Sequence, residues 1–181
     1  MDLIQRHEAL RKALTLEVLL NKCQTVKPRY YTIASSSNLH PSRVHIAISL
    51  TKENKSDGTE HVGWASDYLE RVAQNMKVGP VHMTRLFVKD SSFVMPTSTE
   101  TPIIMVGPGT GVVPFVGFMQ DRELAQAAGK TLGEARLYFG CRQKDSDYIY
   151  RDEMASMSDK KIITSLNIGF SREKNEPKAY V

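Results

Sequence analysis

Apolar residues recur every three or four positions at the start of the chain and then switch to alternation. Leu3, His7, Leu10 and Leu14 share a helical stripe over 3–22, and Thr15 is placed to cap a second short helix through Leu19 and Leu20. Lys27-Pro28 closes this region, because proline lacks an amide donor and restricts the residue before it. Strands are expected over 30–34, 44–50 and 84–88, with Ser35-Ser36-Ser37-Asn38 and Pro41 as a turn and 93–96 as an extended piece. The polar stretch 52–61 carries the turn signal Asp57-Gly58. From Ser66, the positions Tyr68, Leu69, Val72, Ala73 and Met76 form one stripe of an amphipathic helix, which Gly79-Pro80 ends.

Beyond Pro102 the rhythm changes again. Strand 103–106, a glycine turn, helix 114–128, strand 135–139, helix 148–157 and strand 163–170 follow in succession. Pro114 stands in the first helical turn and Gly129 just past the last, as the two ends of a helix favour. Strands alternating with helices predict a parallel sheet with right-handed crossovers. The fold class is therefore α/β, with a partial antiparallel β-barrel followed by the first half of a doubly wound parallel domain. The expected division is 1–28 as a helical linking piece, 29–100 as the partial barrel and 101–181 as the parallel half. Three strands neither close a barrel nor complete a doubly wound sheet.

Composition narrows the picture only slightly. No apolar run approaches the roughly 18 residues that span a bilayer, and the N-terminus lacks the layout of a secretory signal, so a cytoplasmic chain is expected. The net charge is +4, but the basic residues are scattered and form no stripe with interleaved aromatics, which argues against nucleic acid. Cys23 and Cys141 lack metal-ligand spacing and read as two reduced thiols, so no metal is expected.

Four segments carry candidate chemistry. Gly107-Pro108-Gly109-Thr110-Gly111 lies between a strand and a helix, where bare backbone amides and a helix dipole favour a diphosphate and Thr110 adds a hydroxyl. Taken alone, it fits equally a tight turn in any α/β domain. Arg29-Tyr30-Tyr31-Thr32 offers a guanidinium for a second diphosphate, an aromatic face for a flat ring and a hydroxyl for a ring edge, yet alone it also fits an ordinary strand. Gly63-Trp64-Ala65-Ser66 precedes a helix and reads either as another anion seat or as a plain cap by Ser66. Ser171-Arg172, after the third parallel strand, is placed for a ribose 2′-phosphate or as a polar loop, and Lys178 and Tyr180 extend it.

In that order, the run Arg29 to Ser36, the run Gly63 to Ser66 and the run Met105 to Phe115 resemble the ferredoxin–NADP reductase superfamily. Tyr138-Phe139-Gly140-Cys141-Arg142, with Asp145, Asp147-Tyr148, Tyr150-Arg151 and Glu153, and then Asn167 to Glu173, narrow the resemblance to the diflavin reductases of the NADPH–hemoprotein reductase (cytochrome P-450 reductase) type. Sulfite reductase flavoproteins and methionine synthase reductases are alternatives within the same group. The resemblance implies FAD bound by Arg29, Tyr30, Tyr31 and Thr32, by Ala47, Ile48 and Ser49, and by Gly63, Trp64, Ala65 and Ser66, with the Thr32 hydroxyl at the flavin edge as the catalytic group. It implies NADPH bound by Gly107, Gly109, Thr110 and Gly111, with Ser171, Arg172, Lys178 and Tyr180 at its 2′-phosphate. The family tyrosine that helps hold adenine falls near Glu53, so that contact is not expected here.

The implied function is transfer of electrons from NADPH to FAD and on to an FMN domain or haem-protein acceptor. FMN itself is expected only in a full-length relative, which can be anchored to the endoplasmic reticulum. The Cys-Gly segment and terminal aromatic of the family have no counterpart before Val181, and Cys141 belongs to another motif. An internal piece of a reductase is therefore expected, truncated at both ends and with weak or no FAD affinity. An inactive nucleotide-binding remnant is the competing reading.

Overall fold

A computed structural model describes residues 6–76, 84–174 and 177–181. The expected contribution of Leu3 and the helix stop at Gly79-Pro80 lie outside the described residues. By internal contacts the chain divides into two compact units, Met1–Tyr30 and Tyr31–Val181.

The first unit holds two short helices, α1 (Glu8–Ala13) and α2 (Leu16–Lys22). The break between them is the expected one. Thr15 is the N-cap of α2, and its Oγ1 accepts the Val18 amide at 3.2 Å.

In the second unit the polar stretch 52–61 is a hairpin, not a plain turn. Strands β1 (Lys52–Asn54) and β2 (Glu60–Val62) pair antiparallel, Glu53 opposite His61. Asp57 Oδ1 closes the loop by accepting the Thr59 amide at 3.0 Å. The expected strands 30–34 and 44–50 reduce to one antiparallel bridge, Ile33 with Ile46, and 84–88 forms no strand. A strand exists by pairing along its length. Here the ladder stops after Ala34 donates to the His45 carbonyl at 2.8 Å, because the His45 amide turns to the Ser35 hydroxyl instead. Helix α3 (Trp64–Asn75) begins two residues earlier than expected, with Gly63 as its N-cap and no side-chain cap.

The parallel half follows its expected order. Strands β3 (Ile103–Pro108), β4 (Ala135–Cys141) and β5 (Ser165–Phe170) form one sheet in the order β3-β4-β5. Ile103 stands opposite Ala135, and Leu137 opposite Leu166. A 3₁₀ turn (Gly109–Val112) leads into α4 (Val113–Ala127), and α5 (Arg151–Asp159) connects β4 to β5. Met105, Leu137 and Phe139 from one sheet face pack with Phe115, Met119, Met154 and Met157 from the two helices. The other face, with Ile104 and Val106, is exposed. Among the described residues no helix is long and apolar enough to cross a membrane.

Helix α5 starts three residues later than the apolar pattern predicts, because Asp147 has first claimed the backbone for a turn. Its carboxylate accepts the amides of Arg142 at 3.0 Å and Gln143 at 2.8 Å, and Arg142 Nε at 3.0 Å. Tyr150, at φ 56°, then turns the chain into the helix. Burial alone would raise the Asp147 pKa, but the two amides and the Arg142 guanidinium outweigh it and bring the group down to about 2.

A depressed carboxylate pKa contributes stability that is present above the ordinary value of 3.8 and lost as pH falls toward 2. Acid titration followed by circular dichroism should therefore show the wild type losing stability more steeply than Asp147→Asn between about pH 4 and pH 2. Parallel curves would show that the turn does not depend on the charge.

The flavin-side segment reaches the parallel half through the Ser35–Asn38 turn. The Ser36 amide donates to Gln120 Oε1 at 2.9 Å, its hydroxyl donates to Asp121, and Asn38 Nδ2 donates to the same Asp121 oxygen at 2.9 Å. Asp121→Ala removes the acceptor of the Ser36 hydroxyl hydrogen and of Asn38 Nδ2, while the Ser36 oxygen still accepts the Asn38 amide at 3.0 Å. It should lower the unfolding free energy by about 1–3 kcal/mol in urea denaturation.

Candidate functional site: a cleft at the strand ends

Parallel sheets place ligands beyond the carboxyl ends of their strands. Here a cleft of about 470 Å³ opens at that position. Pro108, Gly109 and Thr110 form one wall, following β3. Gly140 and Cys141 end β4, Arg142 and Asp147 follow it, Ser171 follows β5, and Ser49, Ala179, Tyr180 and Val181 also line the cleft.

The glycine turn fits an anion by its own geometry. A Cβ on Gly107 would come within 2.7 Å of the Gly111 and Val112 backbone, so no side chain fits beneath the turn. Gly109 stands at φ +55°, and a Cβ there would meet nothing within 4 Å, so its backbone is bare and open. The 3₁₀ turn runs straight into α4, where the Val113 amide donates to the Thr110 carbonyl and Pro114 has no amide, so the donors open to a ligand are those of the glycine turn itself. Thr110 is exposed and adds its hydroxyl. A dinucleotide diphosphate matches this donor set.

On the opposite rim, the ends of β4 and β5 are held together. The Ser171 amide donates to the Cys141 carbonyl at 3.0 Å, and the Arg172 amide to the Arg142 carbonyl at 2.9 Å. Arg172 and Lys178 are exposed beside the cleft and are not part of its lining. Cys141 is unpaired and buried; burial first, then the Asp147 and Glu173 charges, push its thiol up to about 11. It is a neutral wall atom at ordinary pH.

The flavin-side candidates divide between the two units. Arg29 and Tyr30 belong to the first, where both are exposed. Tyr31 and Thr32 open the second and are also exposed. The Ile33–Ile46 bridge is an isolated antiparallel pair, and in that register Ala47 and Ile48 run on the side of Thr32 and Tyr31 without pairing with them. Ser49 then reaches the cleft, so of the flavin-side set it is the member that meets the nucleotide-side set there. Trp64 is 79% exposed and Ala65 half-buried at the start of α3. Ser66 is buried, and its hydroxyl is engaged: it donates to the Gly63 carbonyl at 3.1 Å and accepts the Thr51 amide at 3.3 Å. It braces the helix start, where Gly63, the N-cap, is packed against Ser66 and Thr51 and no side chain caps the α3 amides.

Sequence reasoning missed Gly140, Arg142 and Asp147 as parts of the site. For Gly140 and Arg142 the available signal was their position just past a predicted parallel strand; Asp147, eight residues on, gave none of that kind.

Residues 6–68 match the family model described as FAD binding domain, and residues 105–180 match the one described as oxidoreductase NAD-binding domain. The two cofactor classes of the chain are thus FAD and a nicotinamide adenine dinucleotide. Over 181 residues the chain is 40% identical to NADPH–cytochrome P450 reductase of Sus scrofa, which covers 100% of this chain and 26% of that protein. It is 42% identical to the Homo sapiens protein over 156 residues, 86% of this chain and 23% of that one. With the Musca domestica protein the identity is 44% over 156 residues, 86% of this chain and 22% of that one. The chain spans about a quarter of the length of the curated relatives it matches. The chain thus carries one segment matching an FAD binding domain and one matching an oxidoreductase NAD-binding domain, and along its whole length it is similar to a part of NADPH–cytochrome P450 reductases.

Proposed function

We propose that the chain forms the FAD- and NADPH-binding part of an NADPH-dependent flavin oxidoreductase, whose electrons pass onward to an FMN domain or a haem protein. One observation carries this reading: a single cleft brings Ser49 of the flavin-side segment together with Gly109, Thr110, Ser171 and Tyr180 of the nucleotide side. In this reading 29–100 is the flavin domain, 101–181 the nucleotide domain and 1–28 the end of a linking region.

When bound, the nicotinamide nucleotide supplies a hydride and the flavin accepts it, releasing electrons singly. The protein's part is to bind, align and shield. Gly107, Gly109 and Gly111 keep side chains away from the diphosphate, and Thr110 donates its hydroxyl to it. Ser171, Arg172, Lys178 and Tyr180 receive the 2′-phosphate, where charge-assisted hydrogen bonds discriminate NADPH from NADH. Tyr31 covers a flavin face, and Thr32 holds a proton at Oγ1 toward the ring edge. Ala47, Ile48 and Ser49 run beside the ring in the register already described. Within the first unit Arg29 and Tyr30 are the residues proposed for FAD, and within the second Gly63, Trp64 and Ala65 are, at the start of α3 over the Ser66 brace. The scatter of basic residues is consistent with two anionic cofactors.

Calorimetric titration should show NADP+ binding more tightly than NAD+. Arg172→Ala should weaken NADP+ by on the order of 10- to 100-fold and leave NAD+ nearly unchanged. Equal affinity of the wild type for the two nucleotides would sink the 2′-phosphate assignment.

In flavin-loaded protein mixed rapidly with NADPH, Thr32→Val should slow bleaching of the flavin band by roughly tenfold or more, and Thr32→Ser should restore most of the rate. Equal rates for Val and Ser would remove Thr32 from the flavin edge.

A further inference from the structure

The residues offered to the 2′-phosphate do not hold themselves in place. Ser171 lies just past the last strand, and Arg172 is exposed. Their backbone is fixed from the neighbouring turn, where Cys141 and Arg142 carbonyls receive the Ser171 and Arg172 amides. A third strut joins the same two loops, because the Lys144 amide donates to Glu173 Oε2 at 2.9 Å. Asp147 shapes the turn that bears two of the three struts, those of Arg142 and Lys144, and that leaves β4 at Cys141, through the Arg142 and Gln143 amides, Arg142 Nε and the Ser146 hydroxyl.

We infer that Asp147 is a positioning residue for nucleotide specificity: it holds the 142–147 turn, and through its backbone struts sets Ser171 and Arg172 where a ribose 2′-phosphate is gripped. The inference rests on the reading of Ser171 and Arg172 given above. Asp147 itself repels a phosphate, so its carboxylate aids an anion site by spending its charge on two amides and one guanidinium. Both Asp147 and Ser171 line the same cleft, so displacement of one loop end shifts that wall directly. The diphosphate seat at Gly109 and Thr110 lies across the cleft on a separate element. Loss of Asp147 should therefore damage recognition of the 2′-phosphate far more than of the rest of the nucleotide.

The test is equilibrium binding of adenosine 2′,5′-bisphosphate and of 5′-ADP to the whole chain by calorimetry. Wild type, Asp147→Ala, Asp147→Asn and Glu173→Ala are compared, with thermal melting run alongside. Asp147→Ala should weaken the bisphosphate by about tenfold or more and 5′-ADP by less than about threefold. Glu173→Ala, which cuts the outer strut alone, should show a smaller shift in the same direction. If Asp147→Ala does not fold, the two-ligand ratio in Asp147→Asn decides. Equal weakening of both ligands, or none, would overturn the inference and leave the functional reading intact. A wild type that prefers neither ligand would instead overturn the functional reading.

Discussion

The close approach of the Ser35–Ser36 backbone to helix α4 is the contact on which the rest of the second unit depends. Gly117 makes it possible. A Cβ there would lie 3.3 Å from the Ser35 carbonyl carbon, a tighter contact than most side chains accept. Around it, Ala34, Ser35 and Ser36 are buried, and the polar groups buried with them find partners in His45, Gln120 and Asp121. The same helix carries the glycine turn at its N-terminus and this dock five residues further on. The dock is three to five residues from Tyr31 and Thr32. A single rigid element thus fixes the separation between the flavin-side residues and the diphosphate seat. In the proposed function, hydride transfer would demand such fixing, because small misplacements cost large factors in rate.

The second fixed quantity is the shape of the cleft, and there the backbone does most of the work. Gly107 sits under its turn with no space for a side chain, and Gly109 presents bare backbone. On the far rim, successive amides of Ser171 and Arg172 extend the parallel pairing beyond the last strand. Side chains such as Thr110 and Tyr180 then decorate a surface already set by main-chain hydrogen bonds.

The parallel half was legible because its determinants are local. The apolar run at 103–106 and the largely apolar one at 135–139, broken by Arg136, mark strands buried on at least one face, and proline and glycine bracket the helix between them. The glycine turn was legible for the same reason, since its neighbours in sequence are its neighbours in space. The flavin-side strands were not, because alternation over 44–50 describes a segment able to pair and cannot say whether a partner runs beside it. The hairpin at 52–62 was hidden by its polarity: five of its six strand residues are exposed and polar, and Val62 alone carries an apolar signal. Ser66 looked like a cap, and only its contact with Thr51, fifteen residues away, reveals a brace. The delayed start of α5 likewise follows from a carboxylate capturing amides, which periodicity does not register.

Two buried or part-buried charges serve the opposite ends of the parallel sheet in complementary ways. At the binding end, Asp147 gathers amides. At the other end, Arg122 is 1% exposed and gathers carbonyls, donating from Nε to Ile162 and from a terminal nitrogen to Gly133, both in the loops that feed the next strands. Its remaining nitrogen has no partner among the described residues, and burial lowers its pKa. Guanidinium titrates so far above neutrality that the charge persists, and a buried cation with neutral partners is a weak source of stability. What Arg122 does supply is geometry, because one planar fork spans α4 and two loops at once. Replacing it with an apolar residue would remove the desolvation cost and also the only atoms that reach both carbonyls. The sheet is therefore tied at its closed end by a cation and at its open end by an anion, and the cleft inherits its dimensions from both.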